Sequence, residues 1–199
     1  MISHTIQYAM ASKSVDRVFV STDDDEISQI SRGDGAEVIP RPTEIAGDTA
    51  TTESAISHAI EWWRGQNLTP EIIVLLQATS PLRPHGSLDE ALEKFRTGGF
   101  DSLLSISPTH RFFWKVSGEE AHAEYDFMNR PRRQDMVESD IRYVENGSVY
   151  IFSTGHFERA GNRLGGKIGY TIFPEAFSPE IDISSDFTLL EEIAKNLKS

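Results

Sequence analysis

The stretch Ile72-Ile73-Val74-Leu75-Leu76-Gln77-Ala78-Thr79-Ser80-Pro81-Leu82-Arg83 decides how this chain is read. Five consecutive apolar residues, three of them β-branched, spell a fully buried strand. The run then breaks into a polar loop carrying an amide, two hydroxyls and a guanidinium, with Pro81 fixing the turn. In an open α/β sheet, ligands bind outside the carboxyl ends of the strands. A strand that delivers Gln77, Thr79, Ser80 and Arg83 to such an edge suits a polar, anionic small molecule. The same composition also suits an ordinary strand-to-turn junction.

Strands and helices alternate on both sides of this run. Before it, residues 5–13 read as a helix and Val18-Phe19-Val20 as a strand ending at Ser21-Thr22-Asp23. A helix over 24–31 is closed by Gly33-Asp34-Gly35, and Glu37-Val38-Ile39 is a strand stopped by Pro40-Arg41-Pro42. Ala55, Ile56, Ala59, Ile60 and Trp63 recur at helical spacing and predict a helix over 52–65. After the run, Leu88, Ala91, Leu92 and Phe95 predict a helix over 87–97, and Leu103–Ile106 is a strand. This order predicts a parallel, doubly wound sheet.

From 108 to 145 aromatic and charged residues mix without period, as expected of a β-rich insertion with loops. Val149–Phe152 returns to the sheet, and Gly169–Ile172 adds a strand. A helix over 185–197 closes the chain, with Ser184 or Ser185 as its cap and Asp186 suited to its positive end.

Composition narrows the function classes. With 199 residues the chain suits a single domain of one core. A net charge of −12 argues against nucleic acid as a partner, since that needs a basic face. An anionic ligand therefore needs a locally basic site or a metal. Cysteine is absent, which excludes disulfides and thiolate metal sites. No stretch spans a bilayer and no basic-then-apolar leader opens the chain, so a cytoplasmic protein is expected.

Some residues suggest chemistry by type alone. Asp182 lies between Ile181 and Ile183 just before the last helix, where a carboxylate suits either Mg²⁺ or a helix cap. Arg130, Arg132 and Arg133 form a basic cluster in an acidic chain, suited to a carboxylate or to an interface. Arg83 suits a structural pairing with a nearby carboxylate. Asn146 precedes Gly147, which allows close backbone approach to a ligand. Tyr150 also fits as a plain strand core residue. The six histidines show no metal-ligand spacing.

The segment Leu75–Arg83 resembles the L-L-Q-x-T-S-P-L-R motif of the acylneuraminate cytidylyltransferases. Five more segments match in order: VFVSTDDDEI (18–27), RPTEIAGDTATT (41–52), RRQDM (132–136), ENGSVYIF (145–152) and PEIDISSDF (179–187). The resemblance implies a three-layer α/β nucleotidyltransferase fold over residues 1–199, with a dimerisation insertion near 108–145. It implies transfer of CMP from CTP to an acylneuraminate-type nonulosonate, with Mg²⁺ as cofactor and a homodimer as the working form. It assigns Arg41, Thr52, Thr79 and Ser80 to the nucleotide, and Gln77, Arg133, Gln134, Asn146 and Tyr150 to the sugar. Gln77 and Asp182 then carry catalysis, Asp182 as the metal ligand. The family's second metal carboxylate is Ser184 here, with Asp186 close by as a possible substitute.

The family opens with a strand and a basic loop resembling P-A-R-G-G-S-K, followed by a segment like Leu-Ile-Ser-His-Thr-Ile. This sequence opens at Met1-Ile2-Ser3-His4-Thr5-Ile6, past that loop. The segment Gly161-Asn162-Arg163-Leu164-Gly165-Gly166-Lys167 is glycine-rich and basic but follows a different strand. Residues 1–199 on their own are thus expected to bind sugar with little cytidylyl transfer. The alternatives are an inactive homologue or binding remnant, and a cytidylyltransferase for another acid sugar such as Kdo.

Overall fold

A computed structural model of the chain describes residues 1–197. The first half holds α1 (Ile2–Met10), β1 (Phe19–Thr22), α2 (Asp25–Gly33), β2 (Glu37–Pro40), α3 (Thr52–Gly65), β3 (Ile72–Leu75) and α4 (Ser87–Gly98). The second half holds β4 (Ser102–Thr109), β5 (Trp114–Ser117), β6 (Glu120–Ala123), β7 (Arg142–Ser153), α5 (Thr154–Ala160), β8 (Ile168–Ile172) and α6 (Ser184–Leu197). The expected alternation through residue 106 is present.

The main sheet has the order β3-β7-β4-β8. β8 runs parallel to β4, whereas β7 runs antiparallel to both β3 and β4. Three of the four strands share a direction, and β7 is reversed. The cause is the connection: the excursion after β4 returns the chain at the end it left, with Thr109 opposite Arg142, so the next strand must run back. β1 and β2 pair in parallel as a separate two-stranded sheet.

The pleat sends alternate β7 side chains to opposite layers. Val149 and Ile151 join Leu103 and Phe173 under Leu88, Ala91, Leu92 and Phe95 of α4, all nearly or fully buried. Phe152 points the other way and packs with Ile73, with Ile56 and Ile60 of α3, and with Phe157 of α5. Each such large apolar side chain contributes about 1.5–3 kcal/mol by leaving water. α3 also reaches the smaller sheet, because the Phe19 ring lies 6.1 Å from Trp62 and 5.3 Å from Trp63. The N-terminus of α3 is held by Thr51, whose hydroxyl accepts from Ser54 N–H at 3.1 Å.

Both sheet strands extend into the stretch expected to be an insertion, leaving 110–141 outside the main sheet. There β5 and β6 form an antiparallel hairpin turning at Gly118, and no β5 residue is buried. Its aromatic residues stack on one another: Phe112 on Tyr125 at 4.4 Å and Trp114 on Tyr125 at 5.8 Å. Val116, Phe127 and Met128 remain largely exposed.

At α6 the cap is Asp186, which accepts from the N–H groups of Asp182 and Ile183 at 2.8 and 2.9 Å, rather than either serine. α5 has no counterpart in the sequence expectations; Ser153 caps it and Gly161 ends it in the left-handed conformation. No described helix is long and apolar enough to cross a membrane.

Candidate functional site

The loop after β3 is built over a buried cation. Arg83 is 8% exposed and donates to Ser148 O from Nε and Nη2 (3.2 and 3.1 Å), to Gln77 O (2.8 Å) and to Thr5 Oγ1 (3.2 Å). Its guanidinium stands 5.3 Å from the centre of the Tyr8 ring. The expected carboxylate partner is thus replaced by backbone carbonyls and an aromatic face. Burial pulls the Arg83 guanidinium down to about 10, so it stays charged at neutral pH. This clamp fixes the Gln77 carbonyl against β7 and so aims the Gln77 side chain.

Opposite that loop, β7 bulges between Glu145 and Tyr150. Asn146 is 1% exposed. Its amide donates to Ser107 Oγ at 3.0 Å, and its Oδ1 accepts from Ser105 Oγ at 2.6 Å. Ser80 Oγ reaches the Asn146 carbonyl at 3.3 Å. These bonds pin Gly147, whose φ of +61° favours glycine. A Cβ there would stand 2.5 Å from Glu180 Oε1, 2.8 Å from Gln77 Oε1 and 3.0 Å from Ser80 Oγ. Three polar side chains thus converge over one bare backbone. Neither the Gln77 amide nor the Glu180 carboxylate makes a side-chain hydrogen bond among the described residues.

Tyr150 lies two residues before Phe152, on the α3 side of the sheet. It is 2% exposed and donates its hydroxyl to Glu145. Arg163 covers its ring, with the guanidinium carbon 4.6 Å from the centre. Arg163 also pairs with Glu53 in the first turn of α3 and comes within 4.0 Å of Glu145. Burial and then the Glu145 hydrogen bond push the Tyr150 phenol up to about 12, so it remains a neutral donor. Burial, followed by the charges of Asp182 and Glu145, raises the Glu180 carboxyl above its ordinary range.

The residues expected from sequence thus fall into three places. Gln77 and Ser80 meet over Gly147 next to Asn146, whereas Tyr150 lies further along β7 with its hydroxyl on Glu145. Thr79 joins them through its carbonyl, which accepts from Ile181 N–H at 2.8 Å and brings Asp182 alongside. Thr52 opens α3 beside Glu53.

Arg41 stands apart, bonded to the Ser21 hydroxyl (3.1 Å) and carbonyl (2.5 Å). It lines a separate pocket of about 410 Å³ with Thr22, Asp23 and Arg32. Arg133 and Gln134 are exposed on the excursion. There Arg133 lies 3.5 Å from Glu175 in a basin of about 840 Å³ with Phe112, Trp114, Tyr125 and Arg130.

Asp182 is exposed, and its carboxylate takes no hydrogen bond among the described residues. Asp186 accepts both of its N–H groups on Oδ2, which ties it to the start of α6. Among the described residues no three acidic, histidine or cysteine side chains converge on a cation position. A single free carboxylate such as that of Asp182 is the kind of protein ligand Mg²⁺ takes alongside phosphate oxygens and water.

Glu145, Glu180 and Arg163 were not singled out by sequence reasoning. The only signals were their positions, beside Asn146, beside the Ile181-Asp182 pair and inside the glycine-rich segment.

Comparisons with known proteins bear on the whole arrangement. The chain is 36% identical over 199 residues to an N-acylneuraminate cytidylyltransferase of Oncorhynchus mykiss, which covers 96% of this chain but only 44% of that protein. An N-acylneuraminate cytidylyltransferase of Escherichia coli is 25% identical, covering 95% of this chain and 44% of its own length. The chain thus spans less than half of these relatives. A post-translational flagellin modification protein B of Campylobacter coli is 27% identical, with 98% of this chain and 84% of that protein covered.

Among solved structures, a CMP:2-keto-3-deoxy-manno-octonic acid synthetase complexed with CTP superimposes with a TM-score of 0.65 at 14% identity. It covers 99% of this chain and 87% of that one, a likeness of fold. The family model for cytidylyltransferases matches residues 1–152, and the chain belongs to that family.

Proposed function

We propose that the site in this chain serves the transfer of a cytidylyl group from CTP to an acylneuraminate-type nonulosonate, with release of pyrophosphate. The observation that carries this reading is the convergence of Gln77, Ser80 and Glu180 over Gly147, past the carboxyl edge of β3. The names of the relatives above supply the substrate class. Gln77 offers both donors and an acceptor to sugar hydroxyls, while Ser80, almost fully buried, supports the cradle from below. Asn146, with its side chain spent inside the protein, sets the Gly147 backbone rather than touching the ligand. Thr52 and Arg41 are the nucleotide-side groups, and Thr79 ties the two sides to the Asp182 segment.

The anomeric hydroxyl attacks the α-phosphate, so catalysis is mainly positioning and charge stabilisation. Asp182 is the residue that holds Mg²⁺, which when bound neutralises charge on phosphate oxygens.

The test is calorimetric titration of the chain with N-acetylneuraminate, Kdo and a neutral hexose. N-acetylneuraminate is expected to bind tightest. Tighter binding of Kdo supports the other acid-sugar reading, and failure to bind any acid sugar overturns the proposal.

The working form is proposed to be a cytoplasmic homodimer joined through the excursion. Its stacked but exposed Trp114 and Phe127, with Val116 and Met128, make an apolar face that its own hairpin does not cover. Light scattering is expected to give twice the mass of the chain. The double change Trp114→Ser and Phe127→Ser is expected to give a folded monomer. A wild-type monomer at micromolar concentration, or a double variant that remains dimeric, contradicts this surface.

A further inference from the structure

Two carboxylates, Glu145 and Asp182, lie close enough to Glu180 to act on its ionisation. The three are not equivalent. Glu145 accepts from the Tyr150 hydroxyl. Asp182 is exposed and is the residue proposed above for Mg²⁺. Glu180 has neither task. Among the described residues its carboxylate takes no hydrogen bond and pairs with no cation.

Its place is set by the backbone on its C-terminal side. The Ile181 N–H donates to Thr79 O at 2.8 Å, and the Ile181 side chain is buried. Asp186 then accepts from the N–H groups of Asp182 and Ile183. With Ile181 turned inward and tied to the loop after β3, Glu180 is carried over the bulge of β7. A Cβ on Gly147 would lie 2.5 Å from Glu180 Oε1 and 2.8 Å from Gln77 Oε1, so the two side chains end at one bare patch of backbone.

The chemistry of that position is narrow. A carboxylate accepts hydrogen bonds and donates none. It repels phosphate and the sugar's own carboxylate. Half-buried and without a donor, it gains from a ligand that brings one. The neighbouring Gln77 amide serves donors and acceptors alike, so the demand for a donor falls on Glu180.

We infer that Glu180 is a specificity-determining residue of this site, its carboxylate accepting a hydrogen bond from a hydroxyl or the acylamino N–H of the sugar. The inference rests on the sugar-binding reading above. It deepens that reading by turning an uncharged donor face of the sugar towards Glu180 and its carboxylate away.

The test is calorimetric titration of the whole chain with N-acetylneuraminate, with each of its monodeoxy analogues, and with the analogue whose acylamino nitrogen is methylated. The deoxy analogues each lack one hydroxyl, and the last lacks the N–H, so the series separates the two donor types. The wild-type chain is expected to reject one of these analogues by about tenfold or more, the scale of one hydrogen bond to a charged group. Glu180→Ala should bind N-acetylneuraminate and that analogue equally, with affinity for the analogue no lower than in the wild type. Relief of charge repulsion strengthens every ligand alike and leaves the ratio untouched. Glu180→Gln, which keeps one acceptor oxygen and the shape, should retain part of the rejection.

Unchanged ratios for every analogue in Glu180→Ala overturn the inference, as does equal weakening of all the ligands. Weaker binding of Mg²⁺ titrated alone, with the sugar ratios unchanged, makes Glu180 a metal ligand and also overturns it. A wild-type chain that binds N-acetylneuraminate but rejects none of the analogues overturns it while leaving the sugar-binding reading intact. A wild-type chain that binds no acid sugar overturns both.

Discussion

Gly147→Ala is expected to remove most sugar binding while leaving a folded chain. The backbone there sits at φ +61°, where an L side chain costs about 1–2 kcal/mol. The added methyl would lie 2.5 Å from Glu180 Oε1 and 2.8 Å from Gln77 Oε1, and both are ends of flexible side chains. They can swing aside, so the fold survives. The site does not, because those two groups are the ones left free to meet a ligand. Ser80 Oγ, 3.0 Å away and almost fully buried, must also shift against the Asn146 carbonyl.

Losing two or three ligand hydrogen bonds at about 0.5–1.5 kcal/mol each weakens binding by about tenfold to hundredfold or more. Calorimetry with N-acetylneuraminate measures that loss, and urea unfolding measures the smaller loss of stability. Unchanged affinity in a folded variant would show that the cradle over Gly147 is not where the sugar sits.

What the sequence made legible follows from which forces have a local signature. Apolar spacing placed α3 over Thr52–Gly65, because Ile56, Ala59 and Ile60 must share the face that meets Ile73 and Phe152. The break from Leu76 to Gln77 marked the edge where the loop groups gather. The reversed direction of β7 was not legible, because direction is set by where the excursion rejoins the sheet and not by the composition of Val149–Phe152. Its start at Arg142 was hidden for a related reason. Residues 142–145 pair with β4 but leave much of their surface to solvent, so they lack a buried strand's composition.

The site was half legible. Gln77 and Ser80 come from a segment whose residue types announce polar recognition, whereas Tyr150 reads by type as a strand core residue and was reached only through the family resemblance. Arg163 reaches Tyr150 across α5 and a turn, a meeting that no short pattern encodes. Asp186 was read as favouring the helix end, but only the fold shows that one of its oxygens accepts from two backbone N–H groups just before the helix. The partners of Arg83 were hidden most completely, since backbone carbonyls belong to every residue and carry no mark in the sequence.

That clamp gives the largest expected loss of stability. Arg83→Met keeps the apolar stem but removes every donor, leaving Ser148 O without the two N–H groups it accepts and Gln77 O without its 2.8 Å bond. A buried acceptor left unpaired costs about 1–3 kcal/mol. Relief from burying an unpaired cation offsets part of this, as the depressed ionisation of Arg83 indicates. The expected net loss is about 2–4 kcal/mol, a large share of the roughly 5–15 kcal/mol typical of a folded domain.

Urea denaturation should show it as a lower midpoint with an unchanged slope. Arg83→Lys should fall between the two, because one ammonium cannot serve Ser148, Gln77 and Thr5 together. Sugar affinity should fall in both variants at temperatures where they remain folded, since the released Gln77 carbonyl no longer fixes its side chain. A methionine variant as stable as the wild type would mean that desolvation of the cation outweighs its hydrogen bonds, and that the loop is held by Pro81 and the Thr79–Ile181 bond instead.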